Sequence, residues 1–103
     1  MLVDIPVAKD VKTETEATLF DKVIEEMTEF MAMRLLYVEL DDEEEGDLPI
    51  AEDGIVKRMM CKELVDVVLA CNTLLANYVP SEEERQKLYE SVVKKNEARG
   101  YYS

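Results

Sequence analysis

The sequence predicts an all-α protein, built as an antiparallel bundle of two long helices and a shorter third one. Only three glycines and three prolines interrupt its 103 residues, and the segments between them carry apolar residues at helical spacing. The apolar fraction of 48% is that of an ordinary globular chain and argues against intrinsic disorder. A chain of this length forms one domain, near the lower end of the comfortable size range.

The N-terminal part divides into an arm and a first helix. Pro6 and several β-branched residues without helical period predict an extended arm over residues 1–12. A single helical domain covers residues 13–103 and begins with a Thr-x-x-Glu capping box at Thr13. The first helix is predicted to run to about Leu40.

The remaining elements are bounded by helix-stop and helix-start signals. An acidic loop over residues 41–54 separates the first helix from a second, predicted from about residue 55 to 78 and stopped by Pro80. Ser81 opens a Ser-x-x-Glu capping box, and the third helix should end just before Gly100.

Charge and composition exclude several classes of function. Twenty-four acidic against twelve basic residues give a net charge of −12, which argues against nucleic-acid binding and against anionic membrane surfaces. The absence of histidine excludes Ser/His and Cys/His nucleophilic mechanisms. Cys61 and Cys71 lie ten residues apart on one predicted helix, about 15 Å along its axis, and cannot form a disulfide. Reduced thiols, no leader and no membrane-length apolar run predict a soluble cytoplasmic protein.

Carboxylates on the apolar second helix are the strongest functional signal. Glu63 and Asp66 lie among valines and leucines, where an unpaired buried charge is costly. The first helix carries a matching set, in which Glu26 and Glu29 share one stripe while Glu25 points further toward water. The first motif alone fits a solvated helix face, but the second does not. Inward carboxylates from two helices suit a hard divalent cation such as Mg²⁺.

The two motifs together are similar to the signature of a known superfamily. Glu-Glu-x-x-Glu followed by Glu-x-x-Asp resembles the MazG-like all-α nucleoside triphosphate pyrophosphohydrolases, which include the dimeric dUTPases and the phosphoribosyl-ATP pyrophosphatases. The resemblance covers about residues 16–102 and is carried by two motif helices and a basic tail: Lys22-Val-Ile-Glu25-Glu26-Met-Thr-Glu29-Phe30, Lys62-Glu63-Leu-Val-Asp66-Val-Val and Lys95-Asn96-x-x-Arg99-Gly100-Tyr101.

The resemblance implies a Mg²⁺-dependent enzyme, with Mn²⁺ as an alternative metal. It would cleave nucleoside or deoxynucleoside triphosphates between the α and β phosphates, giving the monophosphate and pyrophosphate. The implied metal ligands are four carboxylates, those of Glu26, Glu29, Glu63 and Asp66, and either Glu25 or one of the ligands would orient the attacking water. The implied substrate-binding residues are three cations for the phosphates and two polar side chains for sugar or base: Lys22, Lys95, Arg99, Thr73 and Asn77.

The resemblance also implies a homodimer or homotetramer, as do the small chain and its apolar second helix. Two features depart from the family pattern. The acidic loop lengthens the gap between Glu29 and Glu63, and Thr73 stands on the polar stripe where relatives often carry an asparagine, with Asn72 turned away. For Lys95 and Arg99, the alternative is a basic helix end that interacts with the helix dipole.

Two other classes of function stay open. The loop from Asp41 to Glu52 nearly fits a single EF-hand-like calcium-binding loop, with Gly46 at position six. Glutamates at positions three and five are long for that geometry, however, and Pro49 removes a backbone donor. A non-enzymatic acidic interaction module, such as a decoy of nucleic acid, would explain the net charge but not the carboxylates on the apolar helix.

Overall fold

A computed structural model of the protein describes residues 5–42 and 50–102, and every regular element among them is helical. Three α-helices follow a 3₁₀ turn at Lys9–Lys12: α1 covers Glu16–Asp42, α2 covers Ile50–Tyr78 and α3 covers Glu82–Ala98. The all-α prediction of two long helices and a shorter third is confirmed for this part of the chain. Within it, no helix combines the length and apolarity that crossing a bilayer requires.

The residue that caps α1 lies two positions beyond the predicted cap. The hydroxyl of Thr15, not that of Thr13, accepts a hydrogen bond from the backbone N–H of Thr18 at 3.1 Å. This bond satisfies one of the helix's unpaired first-turn donors, so α1 begins at Glu16. The Thr-x-x-Glu pattern at Thr13 is therefore present in the sequence but does not set the helix start.

The second helix begins earlier than predicted. Its first residue is Ile50, so Gly54 lies inside α2 and not in the loop. A glycine costs a helix interior only about 1 kcal/mol relative to alanine, which a long apolar helix tolerates. Residues 43–49 are outside the described residues, and with them most of the acidic loop and the EF-hand prediction.

Helix α3 begins and ends as predicted. The backbone N–H of Glu84 donates to the Ser81 hydroxyl at 3.2 Å, which caps the N-terminus. Gly100, just past the C-terminus, has a φ of 77°, in the left-handed region that glycine adopts without steric cost. The two local signals together predict the bounds of the helix.

Two side chains of α3 join it to α2 and to the connection between the two helices. Arg85 is 7% exposed, and its Nη1 donates to the carbonyl oxygens of Val79 and Pro80 at 2.7 and 2.9 Å. These contacts satisfy carbonyls at the C-terminal end of α2, where a cation is also favoured by the helix dipole. The Tyr89 hydroxyl donates to Asn72 Oδ1 at 2.6 Å, which fixes α3 one turn further along.

The core lies between α1 and α2, which pack against each other more extensively than any other pair of described elements. It is small, since Leu19, Val67 and Ala76 are the buried apolar residues in the described part of the chain. At the edge of this interface the Tyr78 phenol lies beside Glu16, and burial together with that carboxylate raises the pKa of Tyr78. The end of α2 thus meets the start of α1.

Helix α1 also carries apolar side chains that this single chain leaves open to solvent. Five of them follow one another at intervals of three or four residues and are 41% to 58% exposed: Phe20, Ile24, Met27, Met31 and Leu35. We call this set the α1 apolar stripe. Large apolar residues at such spacing normally face a partner helix.

The N-terminal arm lies along α2. The described part of the arm contains one 3₁₀ turn, Lys9–Lys12, so the prediction of a wholly extended segment is wrong there. Just before and within this turn, the Val11 N–H donates to the Ala8 carbonyl at 3.2 Å. Asn72 donates to the Ile5 carbonyl at 3.0 Å, and Thr73 accepts from the Ala8 N–H at 3.2 Å. Side chains of α2 thus replace the strand or helix partners that the arm's backbone lacks.

Candidate metal centre

Three carboxylates from α1 and α2 converge at one point. Oxygen atoms of Glu26, Glu29 and Glu63 all lie within 4.8 Å of one another. The spacing of three places Glu26 and Glu29 on adjacent turns of one face of α1, and the packing of α2 brings Glu63 opposite them. Three carboxylates at this separation form a donor set for a hard divalent cation.

Two oxygens of the cluster lack a protein partner. Glu26 is only 8% exposed, and its Oε2, like Oε2 of Glu63, is buried with no hydrogen-bond partner in the described part of the chain. Buried polar atoms are nearly always satisfied, so each such oxygen requires an explanation. A cation between the two helices would satisfy both, which is why the residues present fit a metal ion.

The charges in the cluster perturb one another. Repulsion from the Glu26 carboxylate is the largest influence that raises the pKa of Glu29, and lost hydration, Glu63 and Glu25 act in the same direction. Lys22 Nζ lies 2.8 Å from Glu26 Oε1, and this hydrogen bond raises the pKa of Lys22 despite a smaller opposing effect of burial. Lys22 therefore balances part of the negative charge that the three carboxylates concentrate.

A cavity of about 400 Å³ adjoins the cluster through Glu26. Its charged lining residues are Glu14, Lys22, Glu26 and Asp66, while most of the surface comes from apolar atoms of α1, α2 and the arm. Cavities that bind small molecules usually have this volume and this mixture of apolar walls with a few polar groups. A ligand in the cavity would therefore meet one cation and three carboxylates, of which Glu26 belongs to the cluster.

The predicted carboxylates divide into three groups in the structure. Glu26, Glu29 and Glu63 come together, whereas Asp66 lies one turn further along α2, where it lines the cavity outside the cluster. Asp66 is exposed, and its side chain is one methylene shorter than that of glutamate. Glu25 points toward solvent as predicted, with 58% of its side chain exposed and its Oε1 3.7 Å from Lys22.

The predicted substrate-binding residues lie in different places. Lys22 and Thr73 line the cavity, but the Thr73 hydroxyl already donates to the Leu69 carbonyl at 3.0 Å and accepts from the arm. The Asn77 amide donates to the arm at 3.5 Å. Lys95 and Arg99 are exposed at the end of α3 and do not line the cavity.

The sequence did not predict that the arm forms part of the cavity. Pro6, Val7 and Ala8 contribute to its lining, held there by Asn72 and Thr73 of α2. The available signal was a pair of adjacent polar residues in an otherwise apolar helix, which must find partners when buried. Their partners are backbone groups more than 60 residues away in sequence, with separations of 67 and 65.

No family model, curated protein or solved structure matches this chain. In the described part of the chain the site consists of three clustered carboxylates, two of whose buried oxygens lack partners, with one lysine and a largely apolar cavity beside them.

Proposed function

We propose that this chain is a Mg²⁺-dependent nucleoside triphosphate pyrophosphohydrolase that cleaves (d)NTP to (d)NMP and pyrophosphate. The observation that carries the proposal is the cluster of Glu26, Glu29 and Glu63, with two buried unpartnered oxygens, at the edge of a cavity. A chain with a net charge of −12 repels a polyanion, so a bound cation is the natural bridge to a phosphate.

The residues of the site would divide the work between metal and phosphate. Glu26, Glu29 and Glu63 would hold the metal, and Asp66 would add a carboxylate to the adjoining cavity. When bound, Mg²⁺ supplies positive charge that offsets the negative phosphate oxygens. Lys22 stands where its ammonium can pair with a phosphate oxygen, because it lines the same cavity.

The reaction follows from positioning and charge. Water attacks the α phosphorus, the bond from that phosphorus to the bridging oxygen breaks, and pyrophosphate leaves with that oxygen. A carboxylate must accept the proton of the attacking water, and Glu25 and the carboxylates of the cluster are the groups at hand. Lys95 and Arg99 have no role in this proposal, since neither lines the cavity.

A substrate panel tests the proposal. The four dNTPs and four NTPs are incubated with Mg²⁺, and phosphate is measured with and without added inorganic pyrophosphatase, which distinguishes pyrophosphate from phosphate release. Glu63→Gln should abolish turnover, while Glu39→Gln, the same change at an exposed position of α1, should leave it unchanged. An inactive wild type that forms a salt-sensitive complex with basic proteins would instead favour the acidic interaction module.

We further propose that the helices form an antiparallel bundle completed by a second copy of the chain. The radius of gyration is 17.3 Å, whereas a compact domain of about 100 residues has about 13 Å. No large side chain in the described part of the chain is fully buried, and the α1 apolar stripe faces solvent. Pairing through the stripe would cover it and enlarge a core that is small for a stable domain.

Light scattering of the purified chain tests this assembly. A mass of two or four chains is expected, and Ile24→Asp should lower it because the change places a charge in the middle of the stripe. Ser91→Asp, on the exposed surface of α3, serves as the control. A wild type that is monomeric at high micromolar concentration would refute the assembly but leave the carboxylate cluster intact.

A further inference from the structure

The arm forms a wall of the cavity that has apolar character. Pro6 and Val7 line it together with Leu19, Leu69 and Ala70. Its charged lining residues are Lys22, Glu26 and Asp66 on α1 and α2 and Glu14 just before the start of α1. If phosphate lies at Lys22, beside the carboxylate cluster, the rest of a nucleotide extends toward the apolar walls. The arm is therefore the part of the chain that the base or sugar of such a ligand would meet.

The arm is held in place from α2 and, indirectly, from α3. Asn72 donates to the Ile5 carbonyl at 3.0 Å, and Thr73 accepts from the Ala8 N–H at 3.2 Å. Asn72 and Thr73 are 7% and 6% exposed, and the Tyr89 hydroxyl holds the other end of the Asn72 amide at 2.6 Å. Buried hydrogen bonds of this kind specify a position, because breaking one leaves an unsatisfied polar group.

The same bonds leave few groups to read a base by hydrogen bonding. The Thr73 hydroxyl is engaged both as a donor, to the Leu69 carbonyl, and as an acceptor, from the arm. The Thr18 hydroxyl, also in the cavity lining, is 2.9 Å from that of Thr15. Beyond the phosphates, the lining therefore offers apolar contact, a limited space and the carboxylates of Glu14 and Asp66.

We propose that Val7, with Pro6, is a specificity-determining residue that sets the size of the base accepted by the cavity. This inference rests on the proposed function, and it adds to that function a wall supplied by the arm. Apolar pockets discriminate by volume, and one methylene more or less changes kcat/KM by about 10-fold or more. A bulkier residue at position 7 selects against purines, and a smaller one relaxes the selection.

The experiment compares kcat and KM for a purine and a pyrimidine deoxynucleoside triphosphate in wild type, Val7→Phe, Val7→Ala and Val11→Ala. Val11→Ala is the matched control, because Val11 lies in the arm but does not line the cavity. Val7→Phe should lower the purine-to-pyrimidine ratio of kcat/KM by about 10-fold, mainly through KM, and Val7→Ala should raise it. Val11→Ala should leave the ratio unchanged.

Each outcome decides the inference. In one outcome the wild type hydrolyses nucleoside triphosphates while both Val7 variants keep a purine-to-pyrimidine ratio of kcat/KM within about twofold of the wild-type ratio. That result would overturn the role of the arm and leave the proposed function standing. A wild type that hydrolyses no nucleoside triphosphate would overturn both. Circular dichroism verifies the helical content of each variant, and if Val7→Phe does not fold, Val7→Ala carries the test because it only removes methyl groups.

Discussion

The substitution Glu63→Gln should change the stability of this protein in opposite directions with and without Mg²⁺. Glutamine keeps the shape of the side chain, removes one of three clustered charges and brings an amide that can donate to the unpartnered Oε2 of Glu26. Without a cation the change relieves repulsion. With a cation it removes a ligand.

The magnitude follows from the geometry of the cluster. At 4.8 Å, two unit charges repel by about 3.5 kcal/mol at an effective dielectric constant of about 20. Lys22 Nζ, 2.8 Å from Glu26, and the solvent reduce this value, so we expect a net stabilisation of about 1 to 2 kcal/mol in EDTA. In a domain of this size, each kcal/mol of stabilisation raises the Tm by about 4 to 8 °C.

The opposite sign is expected with the metal. At a Mg²⁺ concentration about 100 times its Kd, binding stabilises the wild type by about 2.7 kcal/mol. Glu63→Gln should lose most of this gain, so the order of the two melting temperatures reverses between EDTA and excess Mg²⁺. Thermal unfolding followed by circular dichroism at one fixed protein concentration measures both conditions.

The matched control is Glu39→Gln, an equal change of charge at an exposed position ten residues beyond Glu29, about 15 Å along α1. Its effect should be small and the same in both buffers. A Glu63→Gln variant that is less stable than wild type in EDTA, or that keeps the full gain with Mg²⁺, would refute the reasoning. Glu63 would then be a structural residue and not a metal ligand.

Three further substitutions test other parts of the description. Lys22→Met should raise KM for the triphosphate by about 10-fold or more while preserving the stabilisation by Mg²⁺; loss of that stabilisation would show a structural role. Tyr89→Phe should lower the free energy of unfolding in urea by about 1 to 3 kcal/mol, because buried Asn72 loses a donor, and an unchanged midpoint would contradict this contact. Ser81→Ala should cost about 1 kcal/mol, and Ser91→Ala on the exposed face of α3 should cost little by comparison.

Local signals in the sequence predicted the helices well. The Ser81 cap and Gly100 gave the bounds of α3, and the helical period placed Glu26 toward the apolar side and Glu25 toward water, as the structure has them. These features depend on a residue and its neighbours within one or two turns. The Thr13 box did not set the start of α1, because Thr15 caps the helix instead, and the local sequence alone does not reveal which of the two threonines does so.

The composition of the site could be predicted only in part. The matched carboxylate motifs predict that α1 and α2 bring their carboxylates together. The position of Asp66 outside the cluster, however, depends on the exact rotation of α2 about its axis. The position of the arm could not be predicted from the sequence, because its hydrogen bonds to Asn72 and Thr73 join residues more than 60 positions apart. Such pairings leave no periodic pattern, and only the burial of two polar residues in an apolar helix hints at them.

The α1 apolar stripe has a chemical consequence, because two of its five members, Met27 and Met31, are thioethers that are 41% and 57% exposed. Oxidants convert an accessible thioether to a sulfoxide, a polar group that disrupts apolar surfaces. Peroxide or prolonged exposure to air would thus place polar sulfoxide groups on the α1 apolar stripe, whose members are otherwise all apolar. Storage without oxidants, or leucine at both positions, would keep the α1 apolar stripe apolar.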